Sequence, residues 1–362
     1  MGVAAVAAVC AMVVTGAGVA AAASGGSWGN AREVPGTSRL DQGLPAEALS
    51  VSCASAGNCS AGGTYTDGPD VAQAFVASEV NGTWHTAIEV PGTAALNQSG
   101  AAVNSVSCPS AGDCTAGGFY TDSTGHEHTF VASEVNGTWH TARDVPGTAA
   151  LGPGGTQALS VSCASAGSCA AGGWYVDSSN HFQAFVASEV NGTWYAAVEV
   201  PGTAALNQGG HARALSVSCA SAGNCSAGGS YRDSSSHEQA FVASEVNGIW
   251  HAAIEAPGTA ALNTGGGGAA VNSVSCASAG NCAAGGSYAD SSGFEQAFVV
   301  SEVNGTWHAA IEVPGTAALN QGGDAAVNSV SCAMAGNCAA DGYYTDSSRH
   351  GHAFVVNERP SH

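Results

Sequence analysis

The 362-residue chain carries 27 acidic side chains against seven Arg and no Lys, for a net charge of −20. A polyphosphate would be repelled by such a surface, so nucleic acid is excluded as a partner. Only 9 % of the residues are charged while Gly alone contributes 51, a composition that favours short strands and turns over long helices.

Residues 1–23 are apolar, rich in Ala and Val, and run into Ala21-Ala22-Ala23-Ser24, a small-residue cleavage pattern. They read as a secretory signal peptide that takes Cys10 with it, although the usual Lys or Arg near the start is missing and a retained anchor is the alternative. The mature domain then covers residues 24–362, exported and free of membrane once the signal is removed. Residues 27–37, Ser-Trp-Gly-Asn-Ala-Arg-Glu-Val-Pro-Gly-Thr, match residues 138–148 closely and read as a lone outer strand with nothing before it.

From residue 49 the chain repeats itself six times, each copy opening on Ser-Val-Ser-Cys and returning every 55 to 57 residues. In the first copy, turn residues cut the apolar runs into strands at 49–54, 59–66, 73–80 and 83–90. Asn81-Gly82 lies between the third and fourth of these and suits a two-residue hairpin turn, because both residues accept positive φ. Pro91-Gly92 ends the fourth, since proline cannot donate to a ladder. No helical periodicity is seen after residue 24. The last copy ends with a third strand at 353–357 and no fourth. Four strands per unit of about 56 residues fit a six-bladed β-propeller, an all-β fold, and the lone N-terminal strand would complete the sixth blade and close the ring. Closure would also remove free sheet edges.

Twelve cysteines remain after the signal, in six pairs spaced by five residues: Cys53/Cys59, Cys108/Cys114, Cys163/Cys169, Cys219/Cys225, Cys276/Cys282 and Cys332/Cys338. In an exported chain they read as disulfides across the first hairpin of each blade. One pair per blade supplies too few thiolates for a closed zinc site. No metal or other cofactor is expected. Each small loop would stabilise by roughly 2 kcal/mol in the chain-entropy model.

The Gly62-Gly63, Trp84 and Pro91 spacing, which recurs at Gly117-Gly118/Trp139/Pro146 and in three later copies, resembles the layout of kelch-type propeller repeats. The sixth copy departs from it with Asp341-Gly342. As a whole, residues 49–355 are similar to Ala- and Gly-rich secreted repeat proteins of actinobacteria, a resemblance that implies no activity. The copper chemistry of one kelch-type oxidase has no matching Tyr and His constellation here.

Short turns fall on one side of each blade and long loops on the other, where binding residues tend to gather. The candidate ligand-binding residues are six Tyr-x-Asp pairs expected on the long-loop side: Tyr65/Asp67, Tyr120/Asp122, Tyr175/Asp177, Tyr231/Asp233, Tyr288/Asp290 and Tyr344/Asp346. An exposed tyrosine could stack on a sugar ring while the carboxylate accepts its hydroxyls, and six copies would give avidity. The competing reading packs these tyrosines between blades. Two further acidic sets, Glu79/134/189/245/302 and Glu33/89, Asp144, Glu199/255/312, read as solubilising charge. The loop histidines His126, His128, His181, His237, His350 and His352 read as solvated.

Catalysis needs unlike groups converging, whereas repeats present like groups in rings. The residues that break the repeat are few: Trp174, Arg232, Asp341, Arg349 and His350. The sialidase Asp-box, G-x-S-x-G, H-E-x-x-H and phosphate loops are absent, and no catalytic residue is identified. The reading is a secreted, non-catalytic propeller that works as a multivalent binding or scaffolding module, with cell-envelope or environmental glycans as the leading ligand class and a protein ligand as the other. The alternatives are a glycan-active hydrolase or lyase at the channel mouth and a purely structural surface protein.

Overall fold

In the computed structural model residues 30–68 and 70–358 are described. The chain is an all-β propeller-type repeat of six antiparallel sheets in sequence order. The first blade consists of Ala46–Ser55, Asn58–Thr66 and Ala72–Val80, followed by an outer strand broken into Thr83–Trp84 and Ile88–Glu89. Four more blades copy this plan, and the sixth has three strands among the described residues, Ala325–Met334, Asn337–Thr345 and Gly351–Asn357. Val34 onward forms one compact unit.

The expected single fourth strand at 83–90 is two short pieces. Between them the chain turns to the preceding segment: the Ala87 amide donates to the Pro35 carbonyl at 2.6 Å, and the Ala142 amide to that of Pro91 at 2.8 Å. The expectation of no helix is also corrected, because among the described residues six one-turn helices follow the Pro-Gly steps, Thr93–Leu96 and Thr203–Leu206 being two of them. Four residues are too few to show a 3.6-residue apolar period. Each helix starts after a glycine at positive φ, Gly92 at 92° for instance, and the Thr93 hydroxyl donates back to the Val90 carbonyl at 2.8 Å.

The hairpin reading of Asn-Gly holds. Asn81 and Gly82 take φ of 50° and 80°. The Gly82 amide donates to the Gly57 carbonyl of the first hairpin at 2.9 Å, which puts both short turns of a blade on one side, as expected. Among the described residues no helix is long and apolar enough to cross a membrane.

All six cysteine pairs, from Cys53–Cys59 to Cys332–Cys338, are disulfides with Cα–Cα separations of 3.9–4.1 Å. One detail of the strand reading is corrected. The second strand of the blade does not open on the cysteine: it starts one residue earlier, at Asn58 before Cys59 and at Asn337 before Cys338, because the asparagine already pairs across the hairpin, with Ser55 and Met334 respectively. The cysteines are also more than cross-links of an outlying turn. Cys59, Cys114, Cys169, Cys225, Cys282 and Cys338 are all buried, whereas their partners Cys163, Cys219, Cys276 and Cys332 are half-buried and Cys53 is exposed. The second strand lies inside its sheet between two neighbours, so its inward sulfur joins the apolar packing; Cys338, for example, sits in one cluster with Val327, Val330 and Phe354.

The Ser-Val-Ser motif has a specific role between blades. Ser50 and Ser52 accept from the amides of Val106 and Cys108 in the next blade at 2.9 and 3.0 Å, and the same lacing repeats through Ser273 and Ser275, which accept from Val330 and Cys332. These amides face a neighbouring sheet and would otherwise be buried without partners. The serine hydroxyls are therefore the backbone's partners across each junction.

The two glycines of the Gly-Gly step answer to different neighbours. A Cβ on the second, Gly63 or its copy Gly342, would collide with a carbonyl of the same blade's first strand, at the bulge between Ala48 and Ser50 or its equivalent. A Cβ on the first, Gly172 or Gly285, would sit 2.7 or 2.6 Å from a valine of the following blade. The second glycine is present in all six blades. The first is replaced only in the sixth, by Asp341, which is exposed.

Valines on the two end blades are correspondingly exposed, Val51 by 62 % and Val355 by 81 %. No pairing between the first and sixth sheets occurs among the described residues. The strand expected to complete the sixth blade falls on residues 27–34, of which 27–29 lie outside the described residues and 30–34 carry no strand. The signal-peptide reading of residues 1–23 also lies outside them.

Candidate functional site

The Tyr-x-Asp pairs are built into the blades. Tyr65, Tyr120, Tyr175, Tyr231 and Tyr288 are only 3–5 % exposed, and their hydroxyls donate to the acidic residue of the same blade's outer strand, from Tyr120 to Asp144 at 2.9 Å and from Tyr175 to Glu199 at 3.1 Å. Burial, followed by the neighbouring carboxylate, pushes these phenols well above their ordinary range. Of the two readings of these tyrosines, the packed one describes the first five: the rings fill space between strands, and the carboxylates read as solubilising charge are their acceptors. Tyr344 differs because no outer strand faces it among the described residues, and its half-buried ring stacks on His352 with centroids 5.3 Å apart.

The six aspartates organise the long loops. Asp177 accepts from the amides of Ser179 and His181 at 2.8 and 3.0 Å and from Gln183 at 2.9 Å, and Asp67, Asp233 and Asp290 repeat the glutamine contact. In the second and sixth blades a histidine replaces that glutamine, His128 to Asp122 at 2.8 Å and His352 to Asp346 at 3.0 Å. The hydroxyl of Thr124 and then His128 hold Asp122 well below the usual carboxylate range. Asp346 is lowered to about 2, chiefly by the His350 amide and His352. These carboxylates spend their lone pairs on the loop itself.

Clefts open instead between blades on the short-turn side. Across the first junction the Ser78 hydroxyl donates to Glu134 at 2.7 Å while accepting from the indole N–H of Trp139 at 3.0 Å. The same stitch joins Ser188, Glu245 and Trp250, and again Ser244, Glu302 and Trp307. Glu134, Glu245 and Glu302 are 2–3 % exposed, so this set is not solvating charge. Desolvation raises the carboxyls of Glu245 and Glu302, partly offset by their serine donors.

Between the second and third blades the stitch is not made. Glu189 is 6 % exposed, and its Oε2 and the Trp194 Nε1 are buried without hydrogen-bond partners. Both line a cleft of about 510 Å3, against about 340 Å3 between the fourth and fifth blades. His140 and Arg143 also line it, and Arg143 takes a place filled in the other blades with an outer strand by Ile88, Val198, Ile254 and Ile311, and in the N-terminal segment by Arg32. Desolvation alone raises the Glu189 carboxyl. An indole N–H donor, a carboxylate acceptor and a guanidinium around one cleft form the pattern that binds a hydroxyl-bearing ligand.

On the long-loop side, Glu238 and Glu295 line a second pocket of about 510 Å3 with Tyr343, whose phenol is raised to about 12 by burial and Asp324. Among the described residues no group of three or more His, Cys, Asp or Glu is placed to hold a metal ion. Glu189 and Trp194 do not stand out in the sequence because the first five blades all carry them. The signal lay in neighbouring columns, where Arg143 and Thr115 depart from the repeat.

No protein-family model matches the chain, and no curated protein does. Among solved structures it is similar to a Hadza microbial sialidase, Hz136, at 10 % identity and a TM-score of 0.45, covering 85 % of this chain and spanning 65 % of that protein's length. It is also similar to the lectin BP39L from Burkholderia pseudomallei at 11 % identity and a TM-score of 0.40, covering 87 % and 97 % of the two chains. A third likeness is to the fucose-specific lectin from Aleuria aurantia at 8 % identity and a TM-score of 0.38, covering 86 % and 91 %. At such identities the function has to be argued from the clefts.

Proposed function

We propose that the chain is an exported, non-catalytic glycan-binding module whose ligands enter the interblade clefts of the short-turn side, led by the cleft between the second and third blades. The observation that carries this reading is the buried, unpartnered pair of Glu189 Oε2 and Trp194 Nε1 in that cleft. Unsatisfied buried polar atoms cost about 1–3 kcal/mol each, and a ligand hydroxyl can accept from the indole and donate to the carboxylate. Six disulfides favour an oxidising, extracellular setting. Three other junctions carry the same residue types in stitched form, and several weak sites on one chain would add through avidity.

The test is binding of the purified, oxidised chain to an array of neutral polysaccharides, with reducing-end release assayed in the same wells. Binding without release, weakened several-fold by Trp194→Phe and by Glu189→Gln, supports the reading. Binding that neither variant alters sinks the cleft assignment.

A second reading, a glycan hydrolase or lyase, is favoured by the two carboxylates Glu238 and Glu295 in one long-loop pocket. General acid and base work on a glycosidic bond needs such a pair. Release of reducing ends that Glu238→Gln or Glu295→Gln abolishes would establish it in place of the binding module.

A further inference from the structure

Five of the residues that break the repeat stand together where the third blade meets the fourth on the long-loop side. Phe182 occupies the position of Glu127, Glu238 and Glu295 in other blades, His211 that of a glycine in three of them, and Arg213 and Arg232 those of residues that are never basic elsewhere. Trp174 packs on Phe182 with ring centroids 5.0 Å apart, and Phe182 packs on His211 at 5.2 Å. The Arg213 guanidinium lies over the Phe182 ring, 5.1 Å from its centroid. Two backbone bonds fix the arrangement, from the Phe182 amide to the Gly210 carbonyl at 3.0 Å and from the Ala212 amide to the Phe182 carbonyl at 2.9 Å.

Glu238 stands opposite Arg232 across the fourth blade's strand pair and is the acidic group that acts on His211. Neither arginine makes an ion pair among the described residues, and the buried Nε atoms of both, with His211 Nδ1, lack hydrogen-bond partners. Desolvation first, then Arg213 and Arg232, press the His211 imidazole toward its neutral form. On a chain with a net charge of −20, two half-buried guanidiniums that make no ion pair among the described residues are costly unless an anion from outside completes them. All five side chains are half-buried, which leaves the cluster open to a ligand while holding it in place.

The geometry points to a second binding site, in which Arg213 and Arg232 take the carboxylate of an acidic sugar and Trp174 with Phe182 packs against its ring. A guanidinium presents a planar fork that matches an oxyanion, and an aromatic face suits the C–H side of a pyranose. The surrounding negative charge selects a saccharide with an isolated acidic unit over a densely charged polyanion. This site lies on the opposite side from the neutral-glycan clefts and stands or falls apart from them.

The experiment is a titration of the full, oxidised chain with a trisaccharide containing one galacturonate, with its neutral galactose counterpart and with sodium sulfate, followed by calorimetry and tryptophan fluorescence. The acidic trisaccharide is expected to bind, and Arg213→Gln or Arg232→Gln to weaken it at least ten-fold without changing Tm. Arg349→Gln removes the same charge from another blade and should leave affinity within two-fold. If a glutamine variant fails to fold, Trp174→Leu carries the test, with a loss of affinity and of the fluorescence response expected. No binding of the acidic trisaccharide, an equal loss in Arg349→Gln, or sulfate binding as tightly as the sugar would each overturn the site. Trp194→Phe should leave acidic-sugar binding intact, so failure of the cleft reading shows separately.

Discussion

The junction between the third and fourth blades and the one between the fourth and fifth share a scaffold and differ in what they offer on the long-loop side. Both are laced by serine hydroxyls, Ser160 and Ser162 accepting from Val217 and Cys219, and Ser216 and Ser218 from Val274 and Cys276. Both bring a glycine of one blade against a valine of the next, Gly172 against Val217 and Gly228 against Val271. Yet the first carries Trp174, Phe182, His211 and Arg213 as a half-buried cluster, while the second opens into a pocket lined by Glu238, Gly268 and Ala270. The contacts that hold blades together and the groups that face a ligand therefore occupy different columns of the repeat, so one can vary while the other stays constant.

The largest effect should come from breaking the shared scaffold. Gly172→Asp places in an internal junction the residue that the sixth blade carries at Asp341, forcing a carboxylate under Val217 and costing more than about 3 kcal/mol by denaturant unfolding. Gly228→Asp should cost as much, whereas Asp341→Gly on the exposed face should change stability by less than about 0.5 kcal/mol. Equal costs at Asp341 and Gly172 would mean that the sixth face packs on a blade like the others.

Removing one disulfide, Cys219→Ser with Cys225→Ser, should cost about 2 kcal/mol by the loop-closure argument, read as a fall in Tm. A smaller effect separates stitched junctions from the open one. Ser188→Ala and Ser244→Ala each strand a buried carboxylate oxygen and an indole N–H and should cost about 1–3 kcal/mol, while Ser133→Ala, where no such stitch exists, should be close to neutral.

Acid should act in two directions. The Glu189, Glu245 and Glu302 carboxyls are raised by desolvation, so their protonation favours the folded chain and stability should rise as pH falls toward the ordinary glutamate range. Asp177 and Asp233 are lowered, because hydrogen bonds from Gln183 or Gln239 and from loop amides outweigh desolvation, so their contribution is present above the ordinary aspartate range and lost as pH falls below it. Tm measured against pH should therefore pass through a maximum in the mildly acidic range. A steady fall from neutral pH would show that the glutamates are not desolvated. The smallest structural change is expected from converting one junction into the other: Phe182→Glu with His211→Gly, Arg213→Ala and Arg232→Ala should abolish acidic-sugar binding and move Tm by only a few degrees.

Much of this architecture was legible in the repeat. The Asn-Gly turns, the cysteine hairpins and the four-stranded unit follow from local chemistry, since positive φ, strand alternation and turn residues are properties of short segments. The break in the outer strand was not legible, because it answers to a proline carbonyl in the preceding segment. Nor was the burial of Cys59 and Cys338, which depends on the strands packed around them and not on the hairpin they close. The candidate tyrosines were legible as strand residues, but their exposure stayed open between two readings, because whether a ring meets solvent or a carboxylate depends on an outer strand 24 residues away in sequence.

The sequence by itself therefore determined six disulfide-pinned β-units and their turns, all set by residues within a few positions of one another. Only the tertiary structure decided what each repeated side chain does. It made Ser-Val-Ser a lace between blades, turned acidic sets into hydrogen-bond acceptors, and left both Glu189 and Trp194 with unpartnered polar atoms in one cleft. It also gathered five scattered irregularities, about 60 residues apart at their extremes, into one cationic and aromatic cluster. Those outcomes depend on which columns of adjacent blades meet, and that is a matter of packing between units that no single unit encodes.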